Sequence, residues 1–309
     1  MLEVVAPTLS DRASGERFSG HESFACRYGW LPKFYDLLVR CPDLIRQDEE
    51  VMVNLGIGRN MVKSVRFWAQ AFGLMDDSPR SPPTPTAFAH WLLDPQHGED
   101  PYLEDVGSLW LLHWRLASTA NLAAWEVAFF EIPEREILRR FLLQRVERRA
   151  AELEKKLSAT TIRQHVDIFL NCYATPLVSM GQTVEESLGC PLQELGLVRL
   201  SPAGDRDELI EFARGPWRHL TPITFLRILL DYWQLRAPHD KTIAVRALLT
   251  DFASPGLTLR LDEGSLWCLL QAAEQVSGGV LQLTDSIERR AAVLQTADVH
   301  RAKVAIGYV

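Results

Sequence analysis

The sequence is poor in the features that make a function easy to read. Its five cysteines (Cys26, Cys41, Cys172, Cys190 and Cys268) are odd in number, scattered, and form no CxxC pair. That argues against a disulfide framework and against a zinc ribbon, and the expected setting is reduced and cytoplasmic. No run of about 18 uncharged apolar residues exists, so no membrane span is expected. The first 18 residues have no basic segment followed by an apolar one, so a signal peptide is not expected either. Positive charge is also in short supply: the net charge is -7. Contact with nucleic acid would therefore have to come from a local patch. There is no Walker loop, no HExxH, no GxSxG and no repeat period.

What is present is an ordinary globular composition, 47% hydrophobic, with nine tryptophans and thirteen phenylalanines to fill cores. A chain of 309 residues is long enough for two or three domains. The reading is mainly α. Residues 1–17 form a loose tail. Residues 18–98 follow the order helix, short helix, GIG turn, longer helix, strand and Pro-rich hairpin, which is that of a winged helix-turn-helix. Residues 99–132 form a helical connector. Residues 133–218 repeat the winged-helix plan, with a charged helix starting at Pro133. Residues 219–309 form a helical C-terminal domain, with Thr221 and Pro222 as N-cap and N1 and LTLRLD (257–262) as a short strand.

The segment LGIGRNMVKSVRFWAQAFGLM (55–75) is the most informative. At 100° per residue, Met61, Val65, Trp68 and Phe72 fall on one side as a core stripe. Arg59, Lys63, Arg66 and Gln70 fall opposite, with Asn60 and Ser64 on the flank. No acidic residue occurs from Val51 to Met75. Arg suits bidentate contacts, Lys a phosphate, and Asn or Gln an adenine edge. The bland alternative is a solvated basic edge. The candidate DNA-binding residues are Arg59, Asn60, Lys63, Ser64, Arg66 and Gln70. The GxG lacks the preceding strand and third glycine of a dinucleotide fingerprint.

FSGHESFACRYGW (18–30) is the second dense stretch. Ser19 and Glu22 have capping-box spacing. His21 is a candidate general acid or base and Arg27 a candidate phosphate ligand, although a lone His among aromatics is more often structural. Glu99, Asp100, Glu104 and Asp105 could gather a Mg²⁺ ion; they also read as an acidic loop ending in a helix cap at Asp105.

FSGHESFACRYGWLPKFYDLL, the 55–75 segment, DPYLEDVGSLWLLHWRLA, PLQELGLV, SPG and LDE occur in that order. Together they resemble a bacterial domain-of-unknown-function family that includes SspB-like proteins of the single-strand DNA phosphorothioation (Ssp) defence system. The resemblance implies a DNA-nicking protein acting on double-stranded DNA. Its implied partners are a cysteine desulfurase, an ATPase and a sulfurtransferase. A nicking reaction needs an activated water and charge stabilisation at the phosphorane, so a divalent metal, Mg or Mn, is expected, and no nucleotide or organic cofactor. The candidate catalytic residues are Glu22, His21 and Asp100. The resemblance itself does not assign the catalytic residues, and this chain has ESFACR where a Thr and a Pro are expected. A homodimer is one expected state. A non-catalytic DNA-binding adaptor and a winged-helix transcription regulator are the alternatives.

Overall fold

The structure, a computed structural model, describes residues 15–174, 189–204, 207–286, 290–296 and 298–309. The expected tail lies outside them up to residue 14. It does not extend to residue 17: Glu16 is buried, and Arg17 bridges to Leu122 and donates to the Ala120 carbonyl. The chain forms two compact units, one spanning Glu16–Ala213 and the other containing Arg214–Val309. Helix dominates, as expected, and no described helix is long and apolar enough to cross a membrane.

The larger unit opens with α1 (Trp30–Arg40), α2 (Asp48–Leu55) and α3 (Arg59–Ala71). Gly56 adopts φ 66° to close α2, and Gly73 adopts φ 68° just beyond α3. Glycine tolerates this left-handed geometry, so both breaks are written in the sequence. The strands β1 (Met75–Asp76) and β2 (Thr84–Pro85) form a short antiparallel hairpin. Thr86 then caps α4 (Ala87–Leu93).

Asp105 caps α5 (Val106–Thr119), as its position suggested, accepting from Gly107 N–H at 2.8 Å. The LWLLHW run is buried on all sides. α6 (Ala123–Glu126) runs into a π-turn. The expected helix from Pro133 is not formed. Glu136–Leu138 is instead a strand, β3, paired with β5 (Asp207–Phe212), and the helix α7 begins at Arg139 and ends at Glu152. A sheet partner distant in sequence has overridden a local start signal. α8 (Ala159–Tyr173) buries Ile162, Val166, Phe169 and Tyr173, an apolar stripe at 4-3-4 spacing. β4 (Val198–Ala203) completes a sheet of order β3-β5-β4. Trp125 and His113 converge on the Tyr173 hydroxyl in the aromatic core of this unit.

The second unit carries three strands within the C-terminal region expected to be mostly helical. α9 (Pro222–Arg236) is capped by Thr221 as expected. After it come β6 (Thr242–Ala244), α10 (Val245–Thr250), α11 (Pro255–Thr258), α12 (Glu263–Val276), β7 (Leu281–Asp285), β8 (Arg290–Leu294) and α13 (Val299–Ala305). The strand expected at 257–262 is absent. Ser254 and Pro255 start a helical turn there, and Asp262 caps α12. The sheet order is β6-β8-β7. The two three-stranded sheets thus share one plan: a short edge strand, two or more helices, then a hairpin whose second strand fills the centre.

Candidate functional site

Helix α3 carries the charged face found in the sequence. Arg59, Asn60, Lys63 and Gln70 are exposed, Arg66 is half-buried, and Val62, Val65, Phe67 and Trp68 are buried. The acidic residues missing from this segment are supplied by the neighbouring helix. Asp48 and Glu49, in the first turn of α2, pair with Arg66 at 2.6 Å and Arg59 at 3.3 Å. The Arg59 pair is largely accessible to solvent and worth little. Arg66 is held more firmly, with its side chain only 20% exposed. The larger unit as a whole has 21 Lys and Arg against 29 Asp and Glu, so the exposed basic face of α3 is a local feature of a negatively charged unit.

Ser64 is the first correction to the candidate set. It is fully buried, and its hydroxyl lies 3.0 Å from the His21 carbonyl and 3.2 Å from that of Phe24. The flank assigned to DNA is the seat of the 18–29 loop. Trp68 adds a third tie, its indole N–H donating to the Phe24 carbonyl at 3.0 Å. Gly20 is required here: its φ is 110°, and a Cβ would lie 2.8 Å from the Phe67 ring.

The capping box expected at Ser19 and Glu22 does not form, because residues 16–29 contain no helix and the next one starts at Trp30. Glu22 stands instead at φ 52° with an exposed side chain. A left-handed conformation in a residue with a Cβ costs about 1 kcal/mol or more and must be held by its surroundings. The hold comes through its carbonyl, which lies 2.7 Å from His21 Nδ1 and 3.2 Å from Gln164 Nε2.

His21 is the second correction. It is buried, and its Nε2 lies 2.8 Å from Nδ1 of the buried His165. Ala124 N–H donates to His165 Nε2 at 3.1 Å. That last bond fixes every tautomer along the line. His165 carries its proton on Nδ1 and donates to His21 Nε2, and His21 donates from Nδ1 to the Glu22 carbonyl. Both rings are neutral. Burial lowers the pKa of each; at His165 the positive charges of a protonated His21 and of Arg17 add to the effect, while the Glu22 carbonyl opposes it at His21. A ring with both nitrogens engaged is a strut for the loop and has no site left for general acid–base work.

Asp100 is the third correction. It is buried, and its two carboxylate oxygens accept the Glu104 and Asp105 N–H groups, each at 2.9 Å. It shapes the loop before α5, and no contact brings it to Glu22. Arg27 stands near the loop with its guanidinium 5.8 Å from both the Phe24 and Trp30 ring centroids. The structure therefore joins Glu22, His21 and α3 into one region, with Arg27 on its rim, and leaves Asp100 out. Among the described residues, no three His, Cys, Asp or Glu side chains gather as a metal-binding group.

Sequence reasoning missed His165 and the role of Arg46. A histidine inside the α8 apolar stripe was the available signal for the first. Arg46 Nη2 reaches Asp77 Oδ1 at 2.6 Å and the Ser78 and Ser81 carbonyls at 2.6 and 2.8 Å, tying down the β1–β2 hairpin loop.

Residues 18–306 match the model of a family described as a protein of unknown function, DUF4007. The chain belongs to the DUF4007 family. Two solved structures resemble this DUF4007 protein along nearly its whole length. A magnesium ion-bound SspB crystal structure has a TM-score of 0.83 at 30% identity, covering 96% of this chain and 89% of its own. A second SspB crystal structure has a TM-score of 0.82 with the same identity and coverage. No curated protein sequence matches the chain.

Proposed function

We propose that this protein is a DNA-binding and DNA-nicking component of an SspB-type phosphorothioation defence system. The observation that carries the reading is the likeness to SspB over 96% of the chain. The local geometry supports it: an exposed Arg59, Asn60, Lys63 and Gln70 face lies on the helix that seats the Glu22 loop. The order α1, α2, turn, α3 and two-stranded hairpin supports a winged helix-turn-helix in 18–98, with α3 facing the major groove. The repeated sheet order supports the same plan in 133–218 and in the C-terminal region.

In this reading α3 and Arg27 hold phosphates, and Glu22 accepts the proton of the attacking water. The single-strand break opens the backbone to sulfur-transfer partners: a cysteine desulfurase, an ATPase and a sulfurtransferase, all in the cytoplasm. A Mg or Mn requirement and a homodimer belong to the proposal and have their own arms in the test.

The non-catalytic adaptor is the second reading, and Asp100, which spends both carboxylate oxygens on backbone N–H groups, favours it. Supercoiled plasmid incubated with the protein and Mg²⁺, Mn²⁺ or EDTA, with and without the partners, decides between them. Nicked circles that depend on Glu22 support the nuclease. Supercoiling that persists under every condition, with DNA still bound, leaves the adaptor.

A further inference from the structure

The C-terminal unit contains a cleft of about 680 Å³ that plays no part in the reading above. That volume lies in the usual range for a ligand site. One wall is β6, the edge strand of the β6-β8-β7 sheet. The other walls are the last turn of α9 and the chain that follows α10.

Two features give the cleft its chemistry. The first is backbone. Leu294 N–H donates to the Lys241 carbonyl at 2.8 Å, and Thr242 pairs with Val293 in the register. Hydrogen-bonded pairs alternate along an antiparallel ladder. Thr242 therefore turns its own N–H and C=O away from β8, toward the open edge and the cleft. The second feature is charge. Asp240 and Asp251 both line the cleft and are exposed. Neither carboxylate has an ion pair among the described residues, whereas the one guanidinium present, Arg236, is turned to the Phe252 carbonyl at 3.3 Å and its ring.

Both carboxylates stand on anchored backbone. Trp233 Nε1 donates to the Asp240 carbonyl at 2.6 Å, and Asp240 N–H donates to Ala237. Asp251 N–H donates to Ala247, and its carbonyl accepts from Ser254. Burial and the neighbouring Asp251 charge push the Tyr232 hydroxyl up to about 12, so it stays a neutral donor at the cleft wall. A site held in place before binding loses little ordering entropy when filled.

We infer that β6 is a docking edge for an extended, basic segment of another polypeptide, which adds a strand beside Thr242 and places Lys or Arg side chains against Asp240 and Asp251. Strand addition supplies backbone bonds that any sequence can make, and the carboxylates supply the selection. An exposed edge strand invites such pairing. β6 is short, which limits the addition to a few residues and makes the charges decisive.

The test uses the full chain and a fluorescein-labelled, end-blocked pentapeptide, Thr-Lys-Val-Lys-Thr, followed by anisotropy. Binding should be at least about tenfold tighter than for Thr-Glu-Val-Glu-Thr, a difference of about 1.4 kcal/mol. Asp240→Asn with Asp251→Asn should abolish that preference. Thr242→Pro should weaken the Lys peptide by about tenfold or more, because proline removes the outward N–H while an edge position tolerates the ring. Should that variant fail to fold by circular dichroism, a peptide N-methylated at its central residue applies the same test from the ligand side. Equal affinity for the two charge patterns would overturn the inference. So would undiminished binding of the N-methylated peptide, or competition by free arginine as effective as the peptide, which would make this a small-cation site.

Discussion

His21 Nε2 and His165 Nδ1 lie 2.8 Å apart, with 10° between their ring planes, and together they hold the carbonyl of the exposed Glu22. The arrangement has no room for a second proton, which makes stability depend on pH. Both folded pKa values lie below the ordinary histidine value of 6.5. The unfolded chain therefore binds protons first as pH falls. The contribution is fully present above about 6.5 and declines below it, by up to about 1.4 kcal/mol per pH unit for each ring. Glu16 works the other way. Burial raises its pKa despite Arg149, so its contribution is present at low pH and is lost as pH rises above the usual carboxylate range. Urea midpoints at pH 7.5, 6.5 and 5.5 should fall for the native protein more steeply than for His21→Gln/His165→Gln. Equal slopes would show that the pair is not the proton-linked element.

Ser64 and Lys63 are neighbours in sequence with opposite roles. Ser64→Ala removes a donor shared by the His21 and Phe24 carbonyls, which keep the Phe24 N–H and the Trp68 indole N–H, and should cost about 0.5–1.5 kcal/mol of stability with little change in DNA affinity once folded. Lys63→Ala should leave the midpoint alone and flatten the salt dependence of DNA binding by about one unit. Arg59→Ala should resemble Lys63→Ala. Arg66→Ala should cost stability as well, because its guanidinium is tied to Asp48. Chemical denaturation and a salt titration read the two effects separately, and a salt slope unchanged from the native protein in all of Arg59→Ala, Lys63→Ala and Arg66→Ala removes the DNA-facing assignment.

Asp100 and Glu22 separate structure from chemistry in the same way. Asp100→Ala strips two backbone N–H groups of their acceptor and should lower stability by about 1–3 kcal/mol. Glu22→Gln should keep stability and remove nicking while DNA binding persists. A nicking rate unchanged in Glu22→Gln would clear Glu22 of any catalytic part.

Arg46→Ala should loosen the β1–β2 hairpin loop, which it holds through three oxygens. Limited proteolysis should then cut within 77–83 sooner than in the native protein, with cleavage elsewhere unchanged. Cutting at the same rate would assign the loop's order to its prolines.

Thiol chemistry offers a simple check of the core. Cys268 is exposed and Cys41 partly so, while Cys26, Cys172 and Cys190 are buried. Burial raises the thiol pKa of Cys26 and Cys172, which keeps both unreactive. Ellman's reagent should titrate Cys268 quickly and Cys41 slowly, with the other three reacting only after denaturation.

Local signals were legible where local chemistry decides the outcome. Gly56, Gly73, Asp105, Thr221 and the α8 stripe all act within a few residues of themselves. The failures share a different cause. β3 forms at Glu136 because Glu211 pairs with it, and Glu22 leaves helical geometry because Gln164 and the histidine pair hold its carbonyl. The basic face of α3 looked unopposed because its counter-charges precede the segment in sequence and meet it only across a helix contact. For the candidate site, the sequence showed that His21, Glu22 and α3 were unusual but not that they touch. It also could not show that Asp100 stands apart from them.

The bond between His21 and His165 spans 144 positions of the chain. On a translating ribosome the Glu22 loop is made early, yet its strut is not. At about 5–20 residues per second, roughly 7–30 seconds separate the two histidines, and more pass before α8 clears the exit tunnel. Throughout that interval α3 can already hold the loop through Ser64 and Trp68, while the Glu22 carbonyl lacks Gln164 and His21 lacks its buried partner. The left-handed geometry of Glu22 is thus set only by the completed larger unit.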